Sequence, residues 1–207
     1  MVWGRGKYFL LPWLFFFIAG ICAVLLFGKA DLHVALNMRQ PRSADSFFKI
    51  VTLFGEGLSL GMAMFYLLFR SRYGAFFLAT SWLSSVVMIQ ILKQFFDALR
   101  PASVFKDTDL IYFVEGVTYR FSHSFPSGHT GDVFSVCFAL TLLSARPKFG
   151  FALFIPAILV GYSRVFLSQH FLEDILAGSL IAIVCTSINF GLWWRNSPSF
   201  RRFIDRA

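Results

Sequence analysis

Charged side chains are scarce in this chain. They make up 14% of its 207 residues, where a soluble domain of similar length carries about a quarter. Hydrophobic residues make up 57%, and the mean hydropathy is +0.67. With apolar runs as long as a bilayer core is thick, this excludes an ordinary soluble domain and points to an integral membrane protein. Cysteine is nearly absent. Cys22, Cys137 and Cys185 each fall inside an apolar run, odd in number and without metal-ligand spacing. They read as small hydrophobes and carry no message about redox compartment. Acids are also few, 11 against 19 Lys and Arg, for a net charge of +8. The bases are scattered through short loops rather than gathered in a stripe, which speaks against a nucleic-acid partner. There is no internal repeat and no low-complexity segment. The 28 Phe read as lipid-facing and packing bulk.

What is present is a series of apolar spans. The first covers Tyr8 to Gly28. Arg5 and Lys7 before it resemble the start of a signal peptide. The run is too long for a cleaved segment, however, and no small-x-small site closes it, so it reads as an uncleaved anchor. Lys29 to Lys49 is polar and mixed, divided by Pro41; Leu32, Ala35, Leu36, Phe47 and Phe48 give it the pattern of short interfacial amphipathic helices. His33 reads there as a solvated loop histidine. The second span, Ile50 to Phe69, carries Glu56 between Gly55 and Gly57. An acid inside a span is costly, and it is expected to pair with a cation of the functional site. The third span, Gly74 to Leu92, ends at Lys93. Asp97 to Phe125 is the longest polar stretch, and within it Leu110–Val114 and Val117–Phe121 flank Glu115-Gly116 like a small β-hairpin. The fourth, fifth and sixth spans cover Ser127–Ser144, Phe149–Gln169 and Asp174–Trp194. The expected fold is all-α: one membrane-embedded domain over residues 1–207, a six-transmembrane helical bundle with a longer extracytoplasmic loop between helices 3 and 4.

Six spans put the N-terminus, the 70–73 and 145–148 turns and the tail on one side. Arg5, Lys7, Arg70, Arg72, Arg146, Lys148, Arg195, Arg201, Arg202 and Arg206 lie there, with Asp205 as the only acid. By the positive-inside rule that side is cytoplasmic, as are both termini.

Three clusters of chemistry-bearing residues then fall on the opposite face. Lys93 and Arg100 are seven residues apart, so a continuing helix brings both to nearly one face, until Pro101 stops it. Phe125 to Asp132 places Ser127 as N-cap of the fourth span, with Gly128 behind it and His129 in the first turn. Free N–H groups at such a helix start suit a phosphate oxygen. Asp132 reads as an orienter of His129 or of a backbone group, and His123 as an accessory substrate contact. In Ser163–Asp174, Arg164 is joined by His170 and Asp174 at i and i+4. Each cluster alone has a plain structural reading: anchoring cations, a capped helix, a snorkelling Arg. Their shared face favours one site.

Such a site has three permanent cations, two histidines and an orienting carboxylate. Lys93, Arg100 and Arg164 would neutralise the oxygens of a phosphoryl group in transit, aided by N–H groups around Ser127 and Gly128. His170, oriented by Asp174, would attack phosphorus to give a phosphohistidine. His129 would protonate the leaving oxygen and then activate water. No metal or other cofactor is implied, because fixed cations supply the charge and neither histidine has a partner at HxxxH or HxxxE spacing.

These residues carry a resemblance. Lys93, six residues, then Arg100-Pro101; Pro126-Ser127-Gly128-His129; and Ser163-Arg164, five residues, His170, three residues, Asp174 together are similar to the three-part signature of the type 2 phosphatidic acid phosphatase superfamily. The resemblance implies metal-independent dephosphorylation of a lipid, with His170 as nucleophile, Asp174 as its partner and His129 as acid. Phosphate contacts would come from Lys93, Arg100, Ser127, Gly128 and Arg164. Within that family the substrates include undecaprenyl diphosphate, phosphatidylglycerophosphate, phosphatidate and a lipid A phosphate. The expected location is a bacterial inner membrane, with the site facing the periplasm or cell exterior and with substrate and membrane lipids as partners. Vanadium haloperoxidases share the motifs but are soluble, which this chain is not. Two alternatives remain at this point: a lipid phosphotransferase using the same phosphohistidine, and a non-enzymatic anion or haem carrier. Haem ligation by His129 and His170 would leave Lys93, Arg100, Arg164 and Asp174 unused. A transporter would show pseudo-repeated halves, and none is visible.

Overall fold

The computed structural model describes residues 2–37 and 42–206, so Pro41 lies outside the described residues. The chain runs through α1 (Val2–Phe27), α2 (Lys29–Leu36), α3 (Arg42–Leu53), a π-helical turn (Phe54–Leu58), α4 (Ser59–Arg70), α5 (Arg72–Phe96), α6 (Pro101–Val104), α7 (Gly128–Leu143), α8 (Phe149–Phe166), α9 (Leu172–Asn196) and α10 (Pro198–Arg206). Among the described residues five stretches are long and apolar enough to cross a membrane: Val2–Phe27, Ser43–Arg70, Arg72–Val104, Phe149–Phe166 and Leu172–Asn196. α7 is apolar but shorter.

α7 is the axis of the bundle. It is hydrophobic all round, and its residues from Val133 to Ala139 are buried on every face against α5, α8 and α9, as expected for a helix without a solvent-facing stripe. Its 16 residues rise about 24 Å, against about 38 Å for the 25 of α5. Small polar side chains fasten neighbouring helices, as suits packing in lipid. Ser135 Oγ donates to Ser85 Oγ at 2.8 Å, Trp13 Nε1 to Ser179 Oγ at 3.1 Å and Asn189 Nδ2 to Ser84 Oγ at 2.9 Å.

One end of the bundle collects the segments rich in positive charge. Arg5 donates to the carbonyls of Leu142, Ser144 and Ile204. Residues 70–73 adjoin Ser199 and Arg202 in a small surface pocket. The N-terminus, both short turns and the tail thus share one end.

The other end departs from the sequence reading in three places. No strand forms among the described residues, and the expected hairpin is replaced by a packed loop. The turn at Glu115-Gly116 exists, with Gly116 at φ +77°, but side chains take the backbone groups a ladder would use. Asn37 Oδ1 accepts from the Tyr112 amide at 2.8 Å, and the Tyr119 hydroxyl accepts from the Val114 amide at 2.8 Å. Burial pushes the Tyr119 phenol up to about 12, so it stays protonated. Ile111 and Val114 turn inward onto Phe171, Phe166 and Leu167. Secondly, His33 is not solvated: it is 1% exposed on α2, stacked on Phe105 with centroids 5.8 Å apart and edge-on to Phe171 at 5.2 Å. Thirdly, the second span begins earlier than expected and is bent at the π turn, where Gly57 takes φ +96°. A left-handed position of this kind is readily open only to glycine.

Candidate active site

A cavity of about 710 Å³ opens at the end away from the basic segments. Its wall includes Lys93, Arg100, Gly128, His129, Asp132, Arg164, His170 and Glu56. Three sequence-distant blocks therefore meet in one place.

His170 is set by its own loop. After α8 ends at Phe166, the Arg164 carbonyl accepts the amides of both Gln169 (2.9 Å) and His170 (3.1 Å), curling the chain back. Asn37 Nδ2 ties the same turn from outside, donating to the Phe166 carbonyl at 2.8 Å and Ser168 Oγ at 2.9 Å. His170 lies before α9 rather than on a helix, and Asp174 occupies its first turn. Asp174 Oδ2 accepts from the Phe171 amide (2.9 Å) and from Ser124 Oγ (2.6 Å), and lies 3.2 Å from His170 Nδ1. A carboxylate held by two other donors fixes the ring and the Nδ1–H tautomer, leaving Nε2 with a lone pair. Burial, then the positive charges of Arg100, Arg164 and Lys93, hold the His170 imidazole well below its usual range. It is neutral at pH 7, the form a nucleophile needs.

The start of α7 faces it. Ser127 is the N-cap, as expected, its hydroxyl accepting from the Thr130 amide at 3.5 Å and Thr130 Oγ1 at 3.0 Å. Its own amide donates to the Asp174 carbonyl at 3.0 Å. Ser127 is fully buried behind the cavity wall, so the amides left free by helix geometry are those of Gly128 and His129. α9 can come this close because position 178 is glycine: a Cβ there would lie 2.5 Å from the Ser127 carbonyl oxygen.

Lys93, Arg100 and Arg164 are 9%, 5% and 6% exposed. Lys93 and Arg100 do not share a continuous helix. α5 ends at Phe96 because Asp97 turns left-handed at φ 39°, and Arg100 stands in extended chain before Pro101 opens α6. The two converge on one carbonyl: His123 O accepts from Lys93 Nζ at 2.8 Å and Arg100 Nη2 at 3.4 Å. Arg100 also donates to Ser122 O and to Gln169. Arg164 Nη1 donates to Thr52 Oγ1, while its buried Nε has no partner.

The accessory candidates have separate fates. Glu56 lies 3.2 Å from His129 Nε2, and its charge also acts on Arg164, the site cation nearest to the expected partnership, without a direct contact among the described residues. Asp132 Oδ1 accepts from the Trp82 indole at 2.8 Å, a partner on α5 that the sequence reading did not foresee. The His123 ring turns to Asp97, 3.3 Å away, and to Ser122; its carbonyl, not its imidazole, serves the site. Lys49, Thr52, Gln90, Arg120 and Gln169 also line the cavity and were not foreseen. Lys49, Thr52 and Glu56 fall at i, i+3 and i+7, a polar stripe on one helix face that was readable.

The fold and this cavity define an integral membrane helical protein with a cation-lined anion site beside two histidines. The chain belongs to the PAP2 superfamily, which matches residues 74–198. It is similar to the undecaprenyl-diphosphatase of Sulfolobus acidocaldarius, at 28% identity over 86% of this chain and 87% of that protein. The lipid A 4'-phosphatase of Porphyromonas gingivalis is 26% identical over 75% of this chain and 69% of that protein. Among solved structures, Aquifex aeolicus LpxE matches with a TM-score of 0.69 at 27% identity, covering 79% of this chain and 94% of that one. A transmembrane PAP2 type phosphatidylglycerolphosphate phosphatase from Bacillus subtilis matches with a TM-score of 0.63 over 93% of this chain and 99% of that one. At 20% identity that likeness shows the common fold. The chain is an enzyme, of a family of phosphatases.

Proposed function

We propose that the protein is a metal-independent membrane lipid phosphatase working through a phosphohistidine. In this reading α1, α3 with α4, α5, α7, α8 and α9 are six spans of a bacterial inner membrane. The arginine-rich end faces the cytoplasm with both termini, and the cavity opens to the periplasm or cell exterior. The lipid tail stays in the bilayer and its phosphate enters the cavity. His170 Nε2 attacks phosphorus while Asp174 steadies the charge that develops on the ring. Lys93, Arg100, Arg164 and the amides of Gly128 and His129 take the phosphoryl oxygens. His129 protonates the leaving oxygen, then takes a proton from the water that cleaves the P–N bond. The relatives named for undecaprenyl diphosphate and lipid A support a lipid phosphate as substrate.

The observation that carries this reading is a buried imidazole, 3.2 Å from a carboxylate, in the same cavity as three buried cations and a second histidine. The test is release of inorganic phosphate from a panel of lipid phosphates in detergent with a chelator present. The wild type is expected to release phosphate and to yield an acid-labile phosphoprotein on rapid quenching, and His170→Ala to do neither. Full release by His170→Ala, or dependence on added metal, overturns the reading. Phosphate appearing on a lipid or sugar acceptor instead of in water makes the protein a phosphotransferase with the same nucleophile.

A further inference from the structure

A second cavity, of about 980 Å³, lies at the basic end of the bundle, away from the candidate active site. The bend in the second span opens it. Before the π turn α3 packs on α8; past the turn α4 packs on α5 and α7. A groove is left between α4 and α8, with α7 as its floor. Met62, Tyr66 and Arg70 line one wall, four residues apart on one helix face, and Phe149, Leu153 and Pro156 line the other. The floor from Val133 to Leu143 extends about 15 Å along the helix axis. That is the depth of one leaflet of a hydrocarbon core about 30 Å thick. The two serines in the lining are spent on backbone groups. Ser59 Oγ donates to the Phe54 carbonyl at 2.7 Å, and Ser144 Oγ accepts from the Arg146 amide at 3.1 Å.

Charge is confined to the mouth. Arg70 and Arg146 stand there, both exposed and neither ion-paired among the described residues. Arg70 also borders the small surface pocket that holds Arg72 and Arg202, and no acid among the described residues lines either cavity. An apolar trough one leaflet deep, ending in unpaired guanidinium groups, is complementary to an acyl chain that ends in a phosphodiester. We propose that this groove binds an anionic phospholipid, with an acyl chain between α4 and α8 and the phosphate held by Arg70 and Arg146. The site goes beyond the phosphatase reading and does not depend on it: the lipid here is bound, and no bond in it breaks. A zwitterionic lipid fills the same trough but brings its own cation to the mouth, so the two arginines select against it.

The test counts lipid on the full-length protein by native mass spectrometry in a neutral detergent, with phosphatidylglycerol or phosphatidylcholine added. The first phosphatidylglycerol is expected to bind about tenfold more tightly than the first phosphatidylcholine. Arg70→Gln with Arg146→Gln should abolish most of that preference. Lys7→Gln with Arg195→Gln removes the same charge from the same end, outside the groove, and should leave the preference unchanged. Leu153→Trp, which fills the groove, should weaken the binding of both lipids. A wild type without preference, an equal loss in the two double variants, or undiminished binding by Leu153→Trp overturns the site. So does a doubled protein mass without lipid, which would make the groove a contact between two copies of this chain.

Discussion

Glu56 Oε1 lies 3.2 Å from His129 Nε2, linking the bent second span to the start of the central helix. In the proposed mechanism His129 is the acid, and this carboxylate holds its ring in place. Glu56 is also a negative charge in a cavity otherwise built for anions. Replacing it with Ala is expected to lower kcat about tenfold, with partial recovery in Glu56→Gln. KM for an anionic substrate should fall in both variants, since a repelling charge is gone. Steady-state kinetics on a lipid phosphate check this. A rise in KM alongside the lower kcat would show that Glu56 merely holds the fold.

Asp174 accepts from Ser124 and the Phe171 amide as well as facing His170. Asp174→Asn keeps the size of the side chain but supplies an amide where a charge balanced the ring. Activity is expected to drop at least a hundredfold, while Ser124→Ala, which removes one supporting hydrogen bond, costs about tenfold or less. Phosphate release measures both. Equal effects would mean that Ser124 matters to the site as much as the carboxylate does.

The blocks of the candidate site were legible because charged residues are sparse in this chain and Lys93, Arg100, Arg164 and His170 all fall on one face of the expected bundle; any one of them alone reads as an ordinary anchor at a span end. How they converge was not legible. A left-handed residue at Asp97, rather than helical periodicity, brings Arg100 back to Lys93; Asp enters that backbone state more readily than most residues, but too seldom for its identity to mark the turn. The false hairpin has a related cause. Alternating Val, Tyr and Phe around Glu-Gly is a fair strand signal, but Asn37, from outside the segment, and the Tyr119 hydroxyl, from within it, take the backbone groups a ladder would use. His33 was misread because its burial depends on Phe105 and Phe171, which are far away in sequence.

Gly178 is where α9 presses on the start of α7. A Cβ there would lie 2.5 Å from the Ser127 carbonyl oxygen, a backbone atom that cannot swing aside. Gly178→Ala is expected to destabilise the protein by about 1–3 kcal/mol and to lower activity by moving Gly128 and His129. Thermal unfolding in detergent and phosphate release report the two effects. Wild-type behaviour in both would mean that the helices separate there at little cost.

His33 gives the protein an acid-sensitive point outside the catalytic residues. It is buried with neither ring nitrogen partnered, and burial lowers its pKa from 6.5 to about 4, against a smaller opposing pull from Asp174. Between those values the unfolded chain binds a proton that the folded chain does not. Stability is therefore fully present above pH 6.5 and declines as pH falls towards 4. Near pH 5 the loss amounts to ~2 kcal/mol. His33→Phe keeps an aromatic ring between Phe105 and Phe171 but cannot take a proton. Its Tm should fall less than that of the wild type on going from about pH 7 to about pH 5, and parallel Tm curves would exclude His33 as the source. Because Phe171 follows His170 directly, the wild type should also lose activity in acid faster than the variant does.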